Sequence, residues 1–159
     1  IGSGLVGSEM CIRDRDIKFR HTMPVQIRFS DVDQFGHMNN SVYFSLYDLA
    51  KTTYIKDVLG SADWSKLAIV VANINANFFM PVFFSDHLVI ETAVVHLGHK
   101  SFTLLQRAVT TDTHEVKCEC RTVMVGYDLA TKEPKLISED YKEAICRYEE
   151  KTLEELSKG

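Results

Sequence analysis

Arg28-Phe29-Ser30-Asp31-Val32-Asp33-Gln34-Phe35-Gly36-His37-Met38-Asn39-Asn40 joins two segments of different periodicity. Before it, from Pro24 to Phe29, Val25, Ile27 and Phe29 alternate with Gln26 and Arg28, the period of a half-buried strand. After it, Val42, Leu46, Leu49, Ala50 and Thr53 recur at helical spacing from about Ser41. Tyr43, Tyr47 and Tyr54 widen that apolar face, so the helix is expected to be buried on most sides. Asn39 or Asn40 suits its N-cap and Gly60 its end. Two carboxylates, a glycine, a histidine and two asparagines therefore sit in a strand-to-helix connection. Loops on a rigid scaffold aim polar groups at ligands. The adjoining helix N-terminus offers unpaired N–H groups suited to a developing oxyanion.

Four strand-like segments follow, at about 68–80, 86–97, 101–112 and 115–127. In the second, Leu88, Ile90, Thr92 and Val94 oppose Val89, Glu91, Ala93 and Val95. In the fourth, Lys117, Glu119 and Arg121 oppose Val116, Cys118, Cys120 and Met124. Leu97-Gly98-His99-Lys100 and Asp112-Thr113-His114 supply tight turns. Ser138-Glu139-Asp140 opens an amphipathic C-terminal helix with Tyr141, Ala144, Ile145, Tyr148, Thr152 and Leu156 along one side. The order predicts an α+β architecture, an antiparallel sheet of about five strands wrapped around one long helix. Its open edge calls for a second subunit, giving a homodimer or homotetramer.

Bulk properties narrow the function classes. A chain of 159 residues, 45% hydrophobic and 25% charged, fits one soluble domain. The formal charge, 18 − 22 = −4, comes with no dense Lys/Arg cluster, which argues against nucleic acid. The longest apolar stretch, 67–84, is interrupted by Asn73, Asn75 and Asn77 and is no membrane span. His114, Cys118 and Cys120 share strand parity, which makes a metal site conceivable, but a fourth ligand is missing. Buried thiols in a reducing, cytoplasmic compartment are the simpler reading, with no metal and no cofactor. Residues 1–15 lack a sustained period and resemble translated sequencing-adaptor DNA, so a non-native or disordered tail is expected there, with the native start near Asp16 or Met23. The domain proper then covers 16–137, and the C-terminal helix 138–159.

The chain resembles hotdog-fold thioesterases of the 4-hydroxybenzoyl-CoA thioesterase-like group. The resemblance rests on Arg28 to Asp33, on Gly36-His37-Met38-Asn39-Asn40, and on Tyr43-Phe44 with the following helix. It continues through Phe78-Phe79-Met80-Pro81-Val82, Gly98-His99-Lys100-Ser101-Phe102 and Tyr127-Asp128. It implies an acyl-CoA thioesterase with Asp33, the second acid of the Asp-x-Asp pair, as the catalytic carboxylate. Phe35 stands where acyl-carrier-protein thioesterases carry Asn, so no Asp-Asn-His triad is carried over.

Asp33 can serve as general base or as nucleophile; its alternative role is to cap a turn. His37 can donate to the carbonyl, orient Asp33, or simply bond the loop. A backbone N–H near Gly36 to Met38 is the expected oxyanion donor, with Gly36 permitting close approach. Asn39 and Asn40 suit loop and cap roles, and Asn40 can also hold a water; Asp31 reads as structural. Tyr43 is a candidate wall of the acyl pocket, and Lys100 and Arg107 are candidate contacts for the nucleotide phosphates. Asp33-x3-His37 differs from the Asp-x4-His of hotdog hydratases, which favours hydrolysis. An acyl-carrier-protein substrate and a non-catalytic acyl-binding module are the competing readings.

Overall fold

The computed structural model describes residues 17–60 and 68–158; the expected tail over 1–15 lies outside them. The strands are β1 (His21–Val25), β2 (Ile69–Phe78), β3 (Leu88–Leu97), β4 (Ser101–Thr110), β5 (Val116–Asp128) and the short β6 (Glu133–Pro134). The helices are α1 (Asn40–Leu59), α2 (Glu139–Glu149) and α3 (Leu153–Lys158). All pairings are antiparallel, in the order β1-β3-β4-β5-β2, with β6 on the end of β5. The sheet curls around α1, the hotdog arrangement that the resemblance implies.

The first strand lies upstream of the expected Pro24–Phe29. Its ladder runs from His21↔Thr92 to Val25↔Leu88, where β3 begins, so the chain beyond Val25 has no neighbour to pair with. It turns instead through a single 3₁₀ turn, Phe29–Asp31, that leaves Phe29 84% exposed. Ile27 still packs against the core.

α1 is buried on one face rather than on most sides. Tyr43, Tyr47, Ala50 and Tyr54 fall at spacings of three and four, and Lys51 and Ile55 join them. Leu49 is 55% exposed. The buried face meets Leu88 and Ile90 of β3, Ala108 of β4 and Cys118 and Cys120 of β5 near the helix start. Farther along, Tyr54 and Ile55 meet Val94, Leu104 and Met124. Gln106 ties the layers by donating to Tyr47 O at 3.0 Å and to Thr92 Oγ1 at 3.1 Å. Gly60 ends α1 at φ +75°, a left-handed conformation that favours glycine.

The single C-terminal helix of the sequence reading is two. Ser138 Oγ caps α2 by accepting from Tyr141 N at 3.2 Å. Glu150 then enters the left-handed region, and its N–H and that of Lys151 close the helix end. Thr152 caps α3, accepting from Glu155 N and donating to its carboxylate. The last residue of α2, Glu149, is buried and accepts from Tyr54 Oη at 2.6 Å and Val94 N at 3.0 Å. That contact fastens α2 to α1 and to the point where β3 bulges, between Val94 and His96.

Candidate active site

The connection between β1 and α1 is closed on itself. Arg28 donates to the Asp31 carboxylate from its backbone N at 2.8 Å and from its guanidinium at 3.3 and 3.0 Å. The Arg28 guanidinium holds the Asp31 carboxyl below its ordinary range. The Asp31 carbonyl accepts from Asn39 N at 2.9 Å, so one buried residue fixes both the entrance of the loop and the cap of α1. Asp31 is structural, in line with the sequence reading.

Inside that clamp, Asp33 N donates to His37 O at 2.8 Å and Gly36 N to Asp33 O at 3.0 Å. Asp33 Oδ1 accepts from Phe35 N at 2.9 Å and His37 N at 3.2 Å. Gly36 adopts φ +78°, which the turn requires and which a side chain would strain. Oδ1 is thus a turn cap, as Asp often is, while Oδ2 receives no hydrogen bond from the described residues. Asp33 orders the loop with one oxygen and keeps the other free.

Asp33 opens onto a cavity of about 530 Å³, lined also by His37, Asn40, Ser41, Phe78 and Met80. The 79–87 loop forms the far wall: Met38 N donates to Val82 O at 2.7 Å, and the Phe83 ring stands edge-on to His37 at 5.2 Å. The His37 imidazole makes no hydrogen bond to the described residues; the residue meets Asp33 through its backbone alone.

The expected oxyanion donors are engaged elsewhere. The N–H groups of Gly36, His37 and Met38 go to Asp33 O, Asp33 Oδ1 and Val82 O, because closing the tight loop uses them. The free donors come next in the chain. Asn39 is the N-cap, with no side-chain cap bond, and Val42 N donates to its carbonyl at 3.0 Å. Asn40 N and Ser41 N, in the first turn of α1, have no acceptor among the described residues and border the cavity. Ser41 escaped the sequence reading, although a count of the first helical turn from Asn39 picks it out.

The other candidates lie apart. Tyr43 is 2% exposed and packs on Tyr47 and Phe78, behind the cavity wall; burial pushes its phenol well above the ordinary value. Lys100 is exposed at the β3–β4 turn. The ten residues of β3 put about 30 Å between that turn and the Asp33 loop of the same chain. Arg107 faces away from α1, donates to the buried Glu119 at 2.8 Å and lies 4.9 Å from the Phe19 ring centre. That ion pair occupies the guanidinium expected at the phosphates. His114 sits in the β4–β5 turn at φ +54°, on the Glu91 side of the sheet, whereas Cys118 and Cys120 face α1. Burial pushes the Cys118 thiol up to about 12. Among the described residues no cluster of three His, Cys, Asp or Glu could hold a metal ion.

The model of the thioesterase-like superfamily matches residues 27–145. The long-chain acyl-CoA thioesterase FadM of Escherichia coli is 26% identical over 124 residues, covering 76% of this chain and 93% of FadM. The uncharacterized protein YsmA of Bacillus subtilis is 27% identical over 96 residues, 60% of this chain; the match spans 65% of the length of YsmA. Among solved structures, a Thermus thermophilus thioesterase complexed with coenzyme A and zinc superposes with a TM-score of 0.76 at 26% identity, covering 85% of this chain and 98% of that one.

Proposed function

The chain belongs to the thioesterase-like superfamily, and on that premise we propose that it hydrolyses the thioester of an acyl-CoA to the free acid and CoA. One observation carries the reading: Asp33, with one carboxylate oxygen that no described residue bonds, shares a cavity with Asn40 and Ser41, whose N–H groups have no acceptor among the described residues. The similarity to FadM and to a CoA-bound thioesterase supports CoA as the carrier.

The thioester carbonyl oxygen lies at the first turn of α1, where the N–H groups and the helix dipole stabilise negative charge. As general base, Asp33 Oδ2 takes a proton from water, whose oxygen adds to the carbonyl carbon. As nucleophile, Oδ2 adds to that carbon itself and water cleaves the resulting anhydride. On both routes the carbonyl oxygen gains charge facing Asn40 and Ser41, the C–S bond breaks, and the departing CoA thiolate takes up a proton. His37 is a positioning residue: its N–H fixes Oδ1, and its ring walls the cavity against Phe83. No step calls for a metal or an organic cofactor.

The active assembly is a homodimer, or a tetramer built from dimers. β2 is one of the two free edges of the sheet, β1 being the other, and it is the longer and more apolar: Val70, Val71 and Ile74 along it are about 40% exposed. A long apolar edge of this kind is a template for pairing with a second copy. No helix of the described residues is long and apolar enough to cross a membrane, and the buried thiols of Cys118 and Cys120 suit a reducing cytoplasm.

Free-thiol release from short, medium, long-chain and aromatic acyl-CoAs tests the reading. Turnover that disappears in a folded Asp33→Asn variant supports it. Silence across the panel from a folded protein defeats it, and turnover that survives in Asp33→Asn defeats the role of Asp33.

A further inference from the structure

A seam runs from the cavity along the side of α1. Phe78, Ala76, Ile74 and Val71 of β2 pair with Cys118, Cys120, Thr122 and Met124, so they face the side of the sheet on which α1 lies. α1 covers Phe78 and Ala76 only in part and leaves the next two open: Ile74 is 41% exposed and Val71 43%. The seam begins at Asn40 and Phe78, in the catalytic cavity. It ends in a second groove of about 210 Å³, walled by Ile55, Ile69, Val71 and Met124 and by Asp48, Lys51 and Thr52. Between Asn40 and Lys51 lie about 16 Å of helix at 1.5 Å per residue.

Lys51 is the unusual member of that apolar wall. It is 5% exposed, and its ammonium donates to Asp48 Oδ1 at 3.0 Å. An ammonium carries three N–H groups, and buried donors are ordinarily satisfied. No other acceptor for Lys51 Nζ stands among the described residues. The Asp48 carboxylate, largely exposed, offsets the positive charge beside it, so an anion gains little here. A neutral hydroxyl fits better: it accepts from Nζ and donates to the carboxylate. An unsubstituted alkyl end in the groove would instead cover the ammonium and leave its donors unmet.

Building on the acyl-CoA thioesterase reading, we propose that the α1–β2 seam is the acyl channel and that Lys51 with Asp48 forms a subsite for a hydroxyl near the far end of the chain. The preferred substrates are then long-chain hydroxyacyl thioesters. The experiment compares kcat/KM for matched series of saturated and ω-hydroxyacyl-CoAs of increasing length, in wild type and in Lys51→Met. In wild type the hydroxylated substrate should win by about three- to tenfold at lengths that reach Lys51, and at short lengths the advantage should vanish. Lys51→Met should erase it at every length. Wild-type turnover of both series at equal rates overturns this subsite and leaves the thioesterase standing. An advantage retained by Lys51→Met overturns the role of Lys51. Absence of turnover on both series overturns the acyl-CoA reading and the subsite with it.

Discussion

Asp33 and His37 are tied to one another twice: Asp33 N donates to His37 O at 2.8 Å, and His37 N donates to Asp33 Oδ1 at 3.2 Å. The proposed catalytic carboxylate is therefore also a strut of the loop that holds it, and two substitutions separate these duties. Asn keeps a carbonyl oxygen where Oδ1 stands, so Asp33→Asn should retain the Phe35 and His37 hydrogen bonds and melt close to wild type. It loses the basic, nucleophilic oxygen, and kcat should fall by about 10²- to 10⁴-fold. Asp33→Ala removes both duties and should cost about 1–3 kcal/mol of stability as well. Thiol-release kinetics beside thermal melts check this. An Asp33→Asn variant that unfolds, or one that works normally, contradicts the division of labour.

The assignment of the oxyanion donors is testable at the backbone itself. Asn40 is the first helical residue of α1, a position that tolerates proline because its N–H has no intrahelical partner. Asn39 has φ −60° and ψ 139°, the extended conformation that a following proline demands. Asn40→Pro should fold normally and lose about 10²- to 10³-fold in kcat, the usual effect of removing one oxyanion donor. Asn40→Ala, which keeps the N–H, should stay within a few-fold of wild type. If Asn40→Ala falls as far as Asn40→Pro, the side chain acts and the backbone does not.

Most of the architecture was legible in the chain, and the departures have local causes. The long strands announced themselves because one face packs on α1 and the period-2 pattern survives along Leu88–Val94 and Cys118–Met124. β1 was displaced because a strand ends where its neighbour does, and the start of β3 at Leu88 is a tertiary fact. The sequence of α1 suggests wider burial than the structure has, because Leu46 and Leu49 extend the stripe of the three tyrosines, and Leu49 turns to solvent. The loop from Asp31 to Asn40 was recognisable from residue types and the capping preference of Asn. Which N–H groups stay free was not, since that depends on Val82 O and Asp31 O arriving from elsewhere in the fold. Arg107 reads as a surface cation until Glu119, directly across in register on β5, claims it.

Dimerisation through β2 predicts a specific failure. Val70 lies on the edge strand, on the face turned away from α1 and from the proposed acyl channel, and is 39% exposed. A lysine there places a charge where the second copy is proposed to approach, the device by which natural edge strands resist pairing. Wild type should sediment as a dimer or tetramer and Val70→Lys as a monomer with an unchanged far-ultraviolet dichroism spectrum. A monomeric wild type, or a Val70→Lys variant that still assembles, rules out the β2 edge as the interface.

The buried carboxyl of Glu149 sets a pH dependence of stability with a definite sign. Burial raises it above the ordinary value of 4.5, outweighing the hydrogen bonds from Tyr54 and Val94 that lower it. A group with a raised folded-state value contributes its stabilisation in full below about 4.5 and loses it as pH climbs through the folded value. Glu149→Gln keeps a carbonyl acceptor for Tyr54 Oη and Val94 N and cannot ionise. Urea unfolding at a series of pH values should therefore show Glu149→Gln gaining on wild type as pH rises from about 4.5 through the folded value, and a level difference once that value is passed. A difference that stays constant as pH rises above about 4.5 means that Glu149 ionises in the folded protein as readily as in the unfolded chain, and one that narrows means that it ionises more readily; both contradict the raised value.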